Sequence, residues 1–62
     1  MPLIHVSLFE GRTTEQKRDF AVAVTADAVR TLKCTAESVD VIFEDVKKSD
    51  WASGGQLASD PK

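Results

Sequence analysis

Cysteine and histidine are each present once, as Cys34 and His5, in a chain of 62 residues. One cysteine excludes an internal disulfide, and one His with one Cys is too small a donor set for a zinc site. No apolar run approaches the roughly 18 residues of a membrane span, and the N-terminus lacks the basic and apolar regions of a signal peptide. Both absences imply a cytoplasmic protein with no membrane partner. Basic charge is also lacking: eight Lys and Arg stand among ten Asp and Glu, for a net charge of −2. That balance offers no basic face for nucleic acid. Length is the last shortage. A domain this small buries only about 60% of the surface its unfolded chain exposes, and below roughly 70–80 residues a disulfide, a metal or oligomerisation is usually needed. With the first two excluded, self-association remains, and the chain reads as a single domain over 1–62.

The chain opens MPLIHVSLFEGRTTEQK. In Leu3–Phe9, Ile4, Val6 and Leu8 alternate with His5 and Ser7, the period of a half-buried strand. Glu10-Gly11-Arg12 reads as a turn. Thr13 followed by Gln16 matches a capping box, and predicts a helix from about Thr14 to Leu32. On that helix Phe20, Val24, Ala28 and Leu32 form one apolar stripe, while Val22, Ala26 and Val29 form a second beside it. The first can pack on the chain's own strands. The second is expected to be subunit interface.

Ser38–Val46 alternates again, with Val39, Val41 and Phe43 on one face and Asp40, Ile42 and Glu44 on the other. Strand, helix and strand make a β-α-β unit of the α/β (α+β) class with parallel strands. Two strands alone are not a stable sheet, so a second subunit is expected to complete it. In the tail WASGGQLASD, Gly54-Gly55 suits a tight hairpin turn, and the tail is expected to clip onto a neighbour.

Pro2 directly after Met1, the stretch EGRTTEQK, the β-α-β core and the late Gly-Gly with an aromatic shortly before it resemble the 4-oxalocrotonate tautomerases over nearly the full length. The resemblance implies a small tautomerase fold that assembles as a hexamer, a trimer of dimers, without metal or organic cofactor. It also implies an activity: moving a proton between oxygen and carbon in enols such as 2-hydroxymuconate to give conjugated 2-oxo acids in aromatic compound degradation. Pro2 matches the family's catalytic proline. Arg12 matches an arginine that a neighbouring subunit contributes to grip a substrate carboxylate. Trp51 falls where the family places an aromatic wall, and Phe9 is a further candidate for substrate contact. Asp40, in SVDVIF, stands where the family has its second arginine, so a dicarboxylate is expected to bind less well than in an arginine-bearing relative.

The residues themselves are consistent with that chemistry. Trimming of Met1, which a small second residue such as proline permits, leaves a secondary amine, and an α-amino group has an ordinary pKa of about 7.7–8.0. Burial and a nearby guanidinium would both disfavour its cation and bring the base toward operating pH. Taken alone, a proline at position 2 is usually an accident of sequence or an aid to processing. Arg12 lies where its fork combines with a helix N-terminus to hold an anion, or it pairs on the surface with Glu10 or Glu15. Trp51 lines a pocket or anchors the tail. His5 reads as an interface strand residue, Cys34 as a small filler, and Asp40 as a strand residue facing solvent or an interface, or as a new catalytic acid. Two other functions stay open: a silent oligomer that binds a small acid or serves in assembly, and a hydratase or dehalogenase of unsaturated acids in which Asp40 activates water.

Overall fold

The structure, a computed structural model, describes residues 2–61. Strand β1 (Leu3–Phe9) leads into helix α1 (Thr14–Leu32) and returns as β2 (Asp40–Val46); a hairpin of β3 (Ala52–Ser53) and β4 (Gln56–Leu57) follows. β1 and β2 pair in parallel, from Leu3 opposite Asp40 to Phe9 opposite Val46. This is the β-α-β unit with a C-terminal hairpin that the periodicity predicts.

The helix begins where the capping box places it. The Gln16 N–H donates to Thr13 Oγ1 at 3.0 Å and the Thr13 N–H donates to Gln16 Oε1 at 2.9 Å, so two otherwise unpaired groups satisfy each other. Thr13→Ala is expected to lower stability by about 1 kcal/mol, read as a lower urea midpoint with an unchanged slope. At the other end Lys33 turns left-handed, with φ 58° and ψ 44°, and ends the helix without a glycine.

One boundary differs from the sequence expectation. Ser38 and Val39 do not belong to the second strand: the Ser38 N–H donates to the Thr35 carbonyl and the Val39 N–H to the Ala36 carbonyl, both at 3.1 Å. The Ser38 hydroxyl also donates to the Thr35 carbonyl at 2.8 Å. A single 3-10 turn at Ala36–Ser38 thus uses backbone groups that a strand ladder would need, a competition typical of serine and threonine.

The helix lies over one face of the two strands. Beneath it Ile4, Val6, Leu8, Val41 and Phe43 are half-buried, and α1 adds Ala21, Val24 and Ala28. Phe20 meets Phe43 edge-on at 6.1 Å, and Lys17 Nζ bonds Asp45 at 2.9 Å. Among the described residues only Ala28 is buried, at 6% exposure. The first helical stripe is therefore covered only in its middle, with Phe20 47% and Leu32 61% exposed. Two strands are too narrow to shelter its ends. On the second stripe Val22 is 66% exposed and Ala26 is open as well.

Size and shape give the same message. The chain exposes 4827 Å², against about 3,950 Å² for a globular monomer of its mass. Its radius of gyration is 14.8 Å, where a compact chain of this length would have about 10.6 Å. It is a slab of 44 × 24 × 14 Å. No described helix is long and apolar enough to cross a membrane.

Candidate active site

Pro2 stands immediately before β1 and is half-buried. A strand's first position suits proline, because no ladder donor is lost there. Its carbonyl is held by the second strand: the Asp40 N–H donates to Pro2 O at 3.0 Å. Asp40 is exposed, and among the described residues its carboxylate has no ion-pair or hydrogen-bond partner. The nearest titratable groups on that sheet face are already engaged with one another. His5 Nε2 lies 3.1 Å from Glu44 Oε1, and the Ser7 hydroxyl donates to the same oxygen at 3.2 Å.

The opposite end of the strands carries the other candidates. The ladder runs on through the Glu10 N–H, which donates to the Val46 carbonyl at 3.1 Å. Gly11, at φ +118°, then turns the chain. This delivers Arg12, exposed, to the rim of a hollow of about 230 Å³ that Val6, Leu8, Lys17, Phe20 and Phe43 also line. Nearby, the rings of Phe9 and Trp51 meet with centroids 4.8 Å apart and planes tilted by 60°. They form one wall of a cleft of about 290 Å³ whose other lining includes Ser53, Gln56 and Asp60.

The hairpin supports that wall. Gly54 and Gly55 have φ of 60° and 80°, the two positive angles that a tight type I′ turn requires. The returning strand then lets the Ala58 N–H donate to the Trp51 carbonyl at 2.8 Å. Lys48 Nζ sits 5.7 Å above the Phe9 ring. Nothing in the spacing of the sequence marks Lys48, since the contact depends on how the 3-10 turn at Lys48–Asp50 folds back.

The structure thus brings Phe9 and Trp51 together, and it brings Pro2 and Asp40 together, at two separate places. Seven strand residues at about 3.3 Å each set the Pro2 end roughly 23 Å from the Gly11 turn. A six-carbon acid cannot span that gap. Within one chain, then, the backbones of Pro2 and Arg12 stand at opposite ends of β1.

Comparison with known proteins finds relatives over nearly the whole chain. The family model of the tautomerase enzymes matches residues 2–60. A probable tautomerase of Ralstonia nicotianae is 40% identical over 57 residues, covering 92% of this chain and 88% of that protein. A probable tautomerase of Listeria monocytogenes is 38% identical over 60 residues, covering 97% and 98%. Among solved structures, a 4-oxalocrotonate tautomerase homologue superposes with a TM-score of 0.89 at 40% identity, covering 100% of this chain and 98% of the other. A heterohexameric 4-oxalocrotonate tautomerase of Chloroflexus aurantiacus superposes at 0.92 with 31% identity and full coverage of both chains. The chain belongs to the tautomerase superfamily, and within it to the 4-oxalocrotonate tautomerase family.

Proposed function

We propose that this protein is a cofactor-independent keto–enol tautomerase acting on 2-hydroxydienoates or related enols of 2-oxo acids, with the Pro2 amine as the proton-transferring group. Removal of Met1 frees that nitrogen; Met1 itself lies outside the described residues. Pro2 relays the proton from the enol oxygen to carbon, and no electron carrier takes part. Arg12 of a neighbouring subunit holds a carboxylate. Phe9 and Trp51 form an apolar wall that excludes water.

The observation that carries this reading is the separation of Pro2 from Arg12 along β1, in a chain whose exposed apolar surface calls for further copies of itself. Head-to-tail placement of two β1 strands brings the start of one to the end of the other, and so joins base, anion grip and aromatic wall. A homohexamer built as a trimer of dimers satisfies this requirement, and the Chloroflexus relative is itself a hexamer. The proposed setting is the cytoplasm, in the breakdown of aromatic compounds.

Ultraviolet assays with 2-hydroxymuconate, a dicarboxylate, and phenylenolpyruvate, a monocarboxylate, test the reading. Ketonisation of either above the buffer rate is expected, and no turnover of any 2-hydroxydienoate would leave a silent binding protein of the same fold. Arg12→Ala should raise KM roughly 10- to 100-fold, the loss of a charged hydrogen-bond pair worth about 1.5–3 kcal/mol. An unchanged KM would remove Arg12 from the site.

A further inference from the structure

The helix lies over Ile4, Val6, Val41 and Phe43, so Leu3, His5 and Ser7 of β1 and Asp40, Ile42 and Glu44 of β2 face the other way, and all six are exposed. We propose, resting on the self-association argued above, that this second sheet face meets another copy of the chain and that the His5–Glu44 pair makes the contact proton-linked. Association takes up protons, and so tightens as pH falls from 8.5 to 6.

Register builds the cluster. Ser7 stands opposite Glu44, and His5, one same-face step back along β1, stands opposite Ile42. His5 Nε2 and the Ser7 hydroxyl therefore converge on one carboxylate oxygen, Glu44 Oε1, at 3.1 and 3.2 Å. Apolar groups flank it on both sides. Leu3 is 58% and Ile42 49% exposed, and half-buried Phe9 and Val46 close the far end of the same face.

A further copy is the occupant that fits. Pairing edge to edge with a second chain widens the sheet but leaves this face bare, so a separate contact has to cover it. The chain exposes 4827 Å² against about 3,950 Å² for a globular monomer of its mass. That excess is on the order of the roughly 800 Å² that each partner gives to a standard interface. Leu3 and Ile42 are two of the six large apolar side chains left exposed among the described residues.

Charge sets the sign. The titratable groups on this face are His5, Asp40 and Glu44; the Pro2 amine lies at its start, Lys48 lies above the Phe9 ring at its end, and Lys17 and Asp45 are paired on the helix side. With a neutral imidazole, two such faces bring carboxylates together and take them out of water, which is costly for an unpaired charge. Once His5 carries a proton, each Glu44 enters the contact as half of a neutral ion pair. An imidazole ordinarily changes charge between pH 5 and 8. Covering the face thus favours the protonated ring, and by linkage protonation favours the covered state. The contact is strongest on the acid side of neutrality and weakens as pH rises.

Sedimentation of the full chain between pH 6 and 8.5, with urea fixed at the level that half-dissociates the assembly at pH 7, reads the linkage. The dissociation constant is expected to rise at least about tenfold across that range. His5→Gln keeps a hydrogen-bond donor that cannot gain a proton, and should flatten the change to under about threefold. Glu44→Gln should flatten it as well, by removing the charge that the proton offsets. Circular dichroism establishes that each variant is folded. His5 is the only histidine, so its imidazole NMR signal needs no assignment; it should titrate at higher pH in the assembled protein than in the dissociated chain, a difference that Glu44→Gln should abolish. If the parent's affinity is independent of pH, or His5→Gln keeps the parent's slope, or the imidazole titrates alike in both states, the proton linkage is wrong. A chain that sediments as a monomer at every pH without urea would instead overturn self-association itself, and the covered face with it.

Discussion

Protein that retains Met1 is expected to ketonise a dienol at least about 1,000-fold more slowly than trimmed protein, approaching the buffer rate. In the retained form the Pro2 nitrogen is a tertiary amide, its lone pair delocalised into the carbonyl, and it can neither accept nor carry the proton. Pro2→Ala is a milder change. Once trimmed, it still presents a primary amine at the same place, and should keep part of the rate while losing some of the 10²- to 10⁴-fold that a positioned acid–base group supplies. The order of activity is therefore trimmed parent, trimmed Pro2→Ala, then untrimmed protein. Mass spectrometry identifies the N-terminus before each assay. Equal rates for trimmed and untrimmed protein would reduce Pro2 to a structural start for β1.

The second large effect is expected from Val22, which is remote from Pro2, Arg12 and Trp51. It stands in an apolar groove on α1 with Ala21, Thr25, Ala26 and Val29, and is 66% exposed in the single chain. If that groove, which Arg18 also lines, is covered in the assembly, Val22→Asp places a new charge in a mostly apolar contact on every subunit. Such a charge costs several kcal/mol. Sedimentation should then show the assembly broken to smaller species at micromolar concentration, with helix content and activity falling together. A variant that sediments and turns over like the parent would show that this face of the helix meets only solvent. Val22→Ile separates charge from shape, since it should leave the assembly intact.

The sequence shows most where one local rule decides the outcome. Thr13 and Gln16 bracket the helix start because a reciprocal pair of hydrogen bonds needs only residues three apart. Gly54-Gly55 marks the hairpin because two successive positive φ angles suit little else. The start of β2 was less legible, since Ser38 and Val39 fit an alternating pattern as well as they fit a 3-10 turn, and periodicity does not register the Thr35 carbonyl competing for their N–H groups. On the helix, two stripes were visible but not the width of the sheet beneath them, so Phe20 and Leu32 read as covered when two strands shelter only Val24 and Ala28.

The candidate site divides along the same line. Pro2 and Arg12 stand out through short motifs, and Trp51 through the tail that carries it. Their roughly 23 Å separation follows from the length of β1, yet its meaning emerges only once the strand is seen to run straight between them. The contact of Phe9 with Trp51 and the placement of Asp40 beside Pro2 are long-range consequences of register. Shifting β2 by one residue would turn its side chains to the opposite face and place Val39 or Val41 opposite Leu3.

That straight strand also has a genetic consequence. If one copy offers the amine and another the guanidinium, as proposed, a lesion in either residue is recessive within a mixed assembly: a subunit defective at Pro2 still lends Arg12, and one defective at Arg12 still lends Pro2. Two dead alleles would then complement each other in the same cell. After gene duplication the copies are likewise free to diverge, one keeping the base and the other the grip, with neither active alone.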